Sequence, residues 1–254
     1  MTVAEVLSQN RRCPLLPRKR TFVRSSGMSA FAESLSIGAP KRKRKLEAGR
    51  DFPNYAEIKR LIEAASGKRR VLLLAAALTG LRASELRGLR WSDIDLKVGD
   101  LQVRQRADRY NAIGAPKSDS SVRTIPIDPG ALTAALREWK LACPKGDEGL
   151  VFPSSAGRID HHKNMLRSLA PVMIAAGIVD KRGKPKYGLH SFRHFFASWC
   201  INPKSRGGRE LSPKVVQQLL GHSSINMTLD VYGHLFPKGD DRNELQEAAR
   251  ALLT

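Results

Sequence analysis

Cysteines, acidic residues and long apolar runs are all scarce in this sequence of 254 residues. The three cysteines, Cys13, Cys143 and Cys200, form no CxxC pair and cannot all pair with one another. This usage favours a reducing compartment and argues against a structural zinc site. The longest apolar run, Val71–Leu78, is far too short to cross a bilayer, and the N-terminus lacks the pattern of a signal peptide. We therefore expect a soluble protein inside the cell.

The shortage of acidic residues gives the chain a strong positive charge. Lysine and arginine outnumber aspartate and glutamate by 44 to 24, for a net charge of +20. Such a surplus favours a polyanionic partner, with nucleic acid first and a ribosomal assembly or an anionic membrane surface as the alternatives. The sequence has no GxSxG, P-loop or dinucleotide motif, and a small-molecule enzyme would leave the charge unexplained. No small-molecule substrate is expected.

The first 50 residues differ from the rest of the chain. They carry twelve lysines and arginines against three glutamates and show no apolar period, which is typical of a disordered or loosely packed arm. The arm ends in the run Lys41–Lys45, which has the composition of either a nuclear-import signal or a linker that follows a DNA backbone. We divide the chain into this arm, residues 1–50, and a folded domain, residues 51–254.

The folded domain begins with two predicted helices and a turn. Asn54 is placed to start the first helix, and the run VLLLAAAL indicates a second helix in the centre of a core. Gly80 ends that helix, so Arg82 falls in a tight turn where its guanidinium points at a fixed partner. A salt bridge to Glu85 is the simple alternative, and the two roles are compatible because other N–H donors stay available.

Next, the pattern predicts a small antiparallel sheet. Its strands cover residues 94–96, 101–105 and 122–127. The segment between the second and third strands, residues 106–121, is long for a compact domain and is a candidate functional loop. It carries Lys117, which in isolation would be an ordinary solvated lysine.

The stretch LHSFRHFFASWC predicts a helix with two distinct sides. Helical spacing places one broad aromatic stripe on one side: Phe192, Phe195, Phe196 and Trp199. The opposite side carries polar groups within one turn together with a small residue: His190, Arg193, His194 and Ala197. The two histidines have the i, i+4 spacing of a zinc pair, but Arg193 and the absence of an evident third ligand disfavour a metal.

Two short helices are predicted within Ser212–Pro237. Gly221 closes the first and leaves His222 just past its end, and Ser223 or Ser224 caps the second. With Gly233 as the stop, Tyr232 lies in the last turn of the second helix. A tyrosine in that place is either a half-buried packing residue or a phenol that reaches outward.

Four motifs in this order, TGLRASEL, PKSDSSVRTIPI, HSFRHF and LGHSSINMTLDVYGH, resemble the catalytic domain of the tyrosine recombinases, or phage-type integrases. The resemblance covers residues 51–236, and it is specific because four modest motifs recur in one order and spacing. It implies an α+β, mainly helical, DNA breaking-rejoining fold with a small three-stranded antiparallel sheet. By position it implies six catalytic residues: Arg82, Lys117, His190, Arg193, His222 and Tyr232. His194 and His234 also match common family letters but receive no assigned role.

The resemblance further implies a site-specific recombinase that cuts and rejoins DNA through a 3′-phosphotyrosyl intermediate, with no cofactor, metal or ATP. Arg82 and Arg193 would clamp the phosphate, Tyr232 would attack it, and His190 would be the first candidate for the base. Lys117 would protonate the leaving 5′ oxygen. The implied partners are double-stranded DNA and other copies of the chain in a homotetramer, in the cytoplasm of a prokaryotic cell and at the nucleoid when DNA is bound.

The sequence departs from the family at its N-terminal end. Full-length members place a separate helical DNA-clamping domain before the catalytic domain, and residues 1–50 are too short to form it. A truncated gene, an isolated catalytic fragment and a remnant element are all compatible with this. The alternative function is a non-catalytic DNA-binding relative of the integrases. A tail helix within residues 238–254, with Leu245, Ala249 and Leu252 on one face, would dock on a neighbouring subunit or pack on its own domain.

Overall fold

The structure, a computed structural model, describes residues 45–116, 118–236 and 241–253. The expectations for residues 1–44 and for Lys117 lie outside this part of the chain. Within it the protein is mainly helical with one small three-stranded antiparallel sheet, so the predicted fold class is confirmed.

The bounds of the helices and strands in the described residues are as follows. The helices are α1 (Tyr55–Ala64), α2 (Gly67–Thr79), α3 (Ala83–Gly88), α4 (Ala131–Ala142), α5 (His162–Ala175), α6 (Leu189–Ile201), α7 (Pro213–Leu220), α8 (Ile225–Tyr232) and α9 (Asp241–Leu253). The strands are β1 (Ile94–Asp95), β2 (Asp100–Val103), β3 (Arg106–Ala107), β4 (Ile113–Gly114) and β5 (Arg123–Pro126).

Helices α2 and α6 form the centre of the core. Every side chain of α2 from Val71 to Ala77 is buried, as its nearly all-apolar sequence predicts. The aromatic stripe of α6 is buried at its three phenylalanines and partly buried at Trp199. Because Gly80 ends α2 without a side chain, the ring of Phe196 can lie directly against it, where a Cβ would stand 2.3 Å from Cδ1 of that ring.

The other side of α6 is also covered by protein. Arg193 and Ala197 on that side are both buried, and α7 packs against the helix. The ring of Tyr232 in α8 meets the ring of His194 at 5.7 Å between centroids. The polar side of α6 therefore forms the floor of a cleft between α6 and the C-terminal helices.

The three-stranded sheet has the order β1-β2-β5, and all its pairs are antiparallel. Leu101 in β2 lies opposite Ile94 on one side and Ile125 on the other. All three side chains are buried, so this row attaches the sheet to the core and fixes its register.

The segment 106–121, predicted to be a long loop, is partly folded. Strands β3 and β4 pair within it as an antiparallel hairpin. The buried guanidinium of Arg87 holds the hairpin, donating hydrogen bonds to the carbonyl oxygens of Ala107 and Asp108 at 3.3 and 2.9 Å. The prediction of a long loop without strands was wrong for this part, since the anchor of the hairpin comes from α3 rather than from neighbouring residues.

The C-terminal elements follow the predicted caps with one difference. Ser224 caps α8 through its hydroxyl, which accepts a hydrogen bond from the N–H of Asn226 at 3.1 Å. Gly233 has a right-handed conformation, φ −54°, so the chain continues past Tyr232 as a short 3-10 turn instead of stopping. Within the described ranges, no helix has the length and apolar character needed to cross a bilayer.

Candidate active site

A cleft of about 360 Å³ lies where α6, the α7–α8 turn and the α2–α3 turn meet. Its wall is built by two arginines, three histidines, a tyrosine and three other residues: Arg82, His190, Arg193, His194, His222, Met227, Asp230, Val231 and Tyr232. Five of the six residues singled out in the sequence are in this set. The sixth, Lys117, is not described.

Arg193 is the most enclosed of the cleft residues. Its side chain comes from α6, is only 2 % exposed, and donates hydrogen bonds to the carbonyl oxygens of Gly80 (2.6 Å) and Leu220. These carbonyls belong to the C-terminal ends of α2 and α7, where partial negative charge favours a cation. Burial, followed by the charge of Arg82, lowers the pKa of Arg193 to about 9. The guanidinium is still charged at neutral pH.

Arg82 approaches the cleft from the turn between α2 and α3. It donates to the carbonyl oxygen of Gly221, the left-handed residue that ends α7, at 2.8 Å. Its other terminal nitrogen lies 2.7 Å from Oε1 of Glu85, so the salt bridge anticipated from the sequence is present. The side chain is 31 % exposed, which leaves part of the guanidinium open to a ligand.

Glu85 is buried and is shared between two arginines. Besides Arg82 it accepts hydrogen bonds from Arg123 of β5, at 2.9 and 3.2 Å. Burial by itself would raise the pKa of this carboxyl, but the hydrogen bonds and charge of Arg123, followed by the N–H and charge of Arg82, outweigh it and the pKa is lowered. Arg123 also donates to the carbonyl oxygen of Leu219 at 2.8 Å. A single carboxylate thus connects α3, β5 and α7 beneath the cleft.

The two predicted histidines sit at different depths. His222 is partly buried, and its Nδ1 lies 2.9 Å from the hydroxyl of Thr228, so Nε2 is the nitrogen that can serve a ligand. Burial, with the charges of Arg193 and Arg82, lowers its pKa to about 4. His190 reaches solvent at the mouth of the cleft, and desolvation by its neighbours together with the same two arginines lowers its pKa as well. Both rings are neutral at pH 7.

Tyr232 closes the inner end of the cleft. Its side chain is 2 % exposed, and its hydroxyl lies 2.7 Å from Nδ1 of His194. Burial raises the pKa of the phenol to about 12, against the opposing charge of Arg193. The phenol is therefore fully protonated in this state.

A neighbouring cleft of about 540 Å³ is lined by Ser118, Ser121 and Arg82 among other residues. Arg82 and Met227 line both clefts, so the two are adjacent.

The cleft has the chemistry of an anion site. Two guanidiniums are fixed by main-chain carbonyl oxygens and by Glu85, and two neutral imidazoles with N–H donors stand beside them. Such donors favour a planar or tetrahedral oxyanion, for which bidentate arginine contacts are strong. Among the residues that the structure describes, no three His, Cys, Asp or Glu side chains are grouped as metal ligands.

The sequence assigns no role to two residues at or beneath the site. Arg123 lies two positions before Ile125 in β5, so both side chains point to the inner face of the strand. A charged residue at such a position is a signal for a buried ion pair. His194 matched a common family letter, but nothing in the sequence placed it against Tyr232, because that contact joins helices 38 positions apart.

Comparison with known proteins identifies the family of this chain. Residues 54–238 match the sequence profile of the phage integrase family. The XerC-like tyrosine recombinase of Caldanaerobacter subterraneus subsp. tengcongensis is 31 % identical over 226 residues, covering 79 % of this chain and 54 % of that protein. The tyrosine recombinase XerC of Xanthomonas axonopodis pv. citri is 32 % identical over 216 residues, covering 82 % and 61 %. The chain belongs to the phage integrase family.

Solved structures share the fold at lower identity. XerA recombinase superposes with a TM-score of 0.58 at 23 % identity, covering 82 % of this chain and 66 % of that one. The Tn1549 transposon integrase, solved in complex with circular intermediate DNA, gives 0.58 at 23 %, covering 79 % and 66 %. The chain spans little more than half the length of the curated relatives it matches.

Proposed function

We propose that this protein is a site-specific DNA recombinase that cleaves and rejoins DNA strands through a covalent bond between Tyr232 and a 3′ phosphate. The proposal rests on the composition of the cleft. The phenol of Tyr232 lines it together with two arginines that donate hydrogen bonds to main-chain carbonyl oxygens. Family membership supports the same reaction class.

Arg82 and Arg193 neutralise the nonbridging oxygens of the scissile phosphate in this mechanism. A phosphodiester is an anion, so an attacking phenolate is repelled unless positive charge stabilises the pentacoordinate state. Because both guanidiniums are already held in place, they need no reorganisation when the charge develops. His222 adds a neutral N–H donor, and positioned side chains replace a metal ion in our proposal.

Two further groups transfer the protons of this step. As the bond from the Tyr232 oxygen to phosphorus forms, the phenol proton leaves, and His190 at the cleft mouth takes it through water. The bond from phosphorus to the 5′ oxygen breaks, and that oxygen takes a proton from Lys117. General acid or base help of this kind is worth ~10² to 10⁴-fold. The phosphotyrosyl bond conserves the energy of the broken bond, so another 5′ hydroxyl can reverse the step without ATP.

The partners in this proposal are double-stranded DNA and three further copies of the chain. The net charge of +20 supports a nucleic-acid partner in the cytoplasm and, when bound, at the nucleoid. The structure of the Tn1549 integrase was solved in complex with DNA, which supports the same partner here. We assign the basic residues 1–50 to a DNA-contacting arm and residues 51–254 to the catalytic domain.

A second candidate is a non-catalytic DNA-binding relative. The observation that favours it is the net charge of +20, which supports DNA binding whether or not the cleft cleaves DNA. The two candidates differ in covalent chemistry and share their affinity for DNA.

A trapping experiment separates them. The full chain is incubated with a library of nicked duplexes of randomised sequence, in which the short cleaved piece diffuses away, and adducts are resolved in denaturant. We expect an adduct that disappears in Tyr232→Phe while DNA binding persists, and that falls by at least ~10²-fold in Arg193→Ala. DNA binding with no adduct anywhere in the library would leave the non-catalytic binder, and an adduct that persists in Tyr232→Phe would rule out this nucleophile.

A further inference from the structure

The hydroxyl of Tyr232 has a hydrogen-bond partner to which neither the motifs nor our mechanism gives a role. Nδ1 of His194 lies 2.7 Å from that oxygen, across the seam between α6 and α8. The partner of the phenol among the described residues is thus His194 and not His190. The contact joins a side chain of the cleft floor to the atom that would attack phosphorus.

His194 is itself firmly placed. It projects one turn after His190 on α6, and the two rings meet edge to face at 4.6 Å between centroids. The ring of Phe52 packs on it at 6.4 Å, and the ring of Tyr232 meets it at 5.7 Å. A partly buried imidazole packed against three rings has few orientations available, so its Nδ1 points in a fixed direction.

The direction of the hydrogen bond follows from protonation. Burial, then the nearby His190 and Arg193, lower the pKa of His194 to about 4, while Asp51 opposes the shift. The ring is neutral at pH 7, and the phenol keeps its proton. Tyr232 is therefore the donor and Nδ1 the acceptor, which puts the ring proton on Nε2.

We propose that His194 is a positioning residue for the nucleophile: its Nδ1 accepts a hydrogen bond from the Tyr232 hydroxyl and so directs the oxygen lone pairs into the phosphate cleft until the proton leaves towards His190. A phenol free to rotate would spread its lone pairs over many directions, whereas a donated hydrogen bond on one side leaves the opposite side for attack. In-line displacement depends steeply on such alignment. This inference rests on the proposed function, in which Tyr232 attacks phosphorus.

Proton acceptance is a separate role, and two substitutions distinguish it from positioning. Asparagine carries Oδ1 the same number of bonds from the backbone as Nδ1, so it can accept the hydrogen bond but cannot take the proton. Phenylalanine keeps the ring and its packing but can do neither. A positioning role is therefore rescued by His194→Asn and lost in His194→Phe.

The test measures the single-turnover rate of adduct formation as a function of DNA concentration, using a sequence recovered from the nicked library. We expect the maximal rate to fall by about 10- to 100-fold in His194→Phe with the half-saturating DNA concentration unchanged. His194→Asn should retain most of the wild-type rate. Equal losses in the two variants, or no loss in either, would overturn the inference.

A measurement without DNA checks the contact directly. In the ¹⁵N NMR spectrum of histidine-labelled full chain, Nδ1 of His194 should have the shift of an unprotonated acceptor and should change in Tyr232→Phe. An unchanged shift would contradict the hydrogen bond. If the wild type forms no adduct at all, the proposed function fails first; if it forms one at equal rates in wild type and His194→Phe, only the positioning role fails.

Discussion

At the scale of single residues, the cleft depends on what holds its arginines as much as on the arginines themselves. Glu85 is 3 % exposed and binds Arg82 on one side and Arg123, 6 % exposed, on the other. Arg123 in turn reaches the last turn of α7 through the carbonyl oxygen of Leu219. A buried carboxylate therefore helps to determine where the guanidinium of Arg82 lies.

Removing this charge should affect both stability and chemistry. In Glu85→Gln two guanidiniums lose their counter-charge, and breaking a buried ion pair costs roughly 3 kcal/mol in the free energy of unfolding. Adduct formation should fall with it because Arg82 is no longer held. The measurements are denaturant unfolding and single-turnover trapping.

The matched control for this change is Glu47→Gln. Glu47 is also paired with an arginine, Arg50, but its side chain is 60 % exposed. Exposed pairs contribute about 0 to 1 kcal/mol. Equal effects of the two substitutions would show that Glu85 has no special structural role.

The lowered pKa values of two histidines predict how the free energy of unfolding depends on pH. His194 and His222 have pKa values lowered from 6.5 to about 4 in the folded protein. Between pH 6.5 and about 4 these histidines bind protons in the unfolded chain but not in the folded chain. The free energy of unfolding therefore falls as pH decreases from about 6.5 towards 4. Unfolding titrations across this window should give that slope, with a shallower slope in His222→Asn. A flat profile from pH 7 to 5 would contradict the burial of these rings.

At the scale of elements, two helix ends meet at the cleft. Gly80 ends α2 and Gly221 ends α7, both with left-handed φ values of 62° and 61°. In this conformation their carbonyl oxygens turn towards the arginines, with Gly80 accepting from Arg193 and Gly221 from Arg82. Two helix terminations thus supply part of the arginine-binding geometry.

Substitution of Gly80 should be more damaging than its backbone angle alone predicts. In Gly80→Ala the new Cβ would stand 2.3 Å from Cδ1 of Phe196, a buried ring of the core. Gly183 has a similar φ of 73° but no atom within 4 Å of its Cβ position, so Gly183→Ala isolates the backbone cost, about 1 to 2 kcal/mol. Thermal unfolding should show a larger loss for Gly80→Ala, and equal losses would contradict the close packing.

The sequence predicted elements better than it predicted their contacts. The helix of the motif HSFRHF and the strand row of Leu101 follow from apolar period, which is a local property. The hairpin of residues 106–114 was missed because its anchor, Arg87, lies in another element. The bonds from Arg123 to α7 and from His194 to Tyr232 were likewise beyond reach, since spacing in sequence does not encode distance between elements.

At the scale of the whole molecule, the last helix carries exposed leucines. In α9, Leu245, Leu252 and Leu253 are 70, 85 and 88 % exposed. Of the two expectations for the tail, these exposed side chains favour docking on a neighbouring subunit. We therefore propose that this apolar face binds a neighbouring copy in the DNA-bound assembly.

Charged substitutions on this face test the proposal. In the double variant Leu252→Glu and Leu253→Glu, the unfolding temperature should stay near the wild-type value, because neither side chain is buried in the monomer. The mass of the DNA-bound complex, measured by light scattering, should fall. An unchanged mass would assign assembly to other surfaces.

The anchoring of the arginines by main-chain oxygens has a consequence for how far such a protein can diverge. Carbonyl groups are present whatever the side chain, so most substitutions in α2 and α7 leave the acceptors of Arg193 and Arg82 in place. The side chains of α2 and α7 can then change extensively while the two guanidiniums keep their positions, provided that the turns at Gly80 and Gly221 are retained.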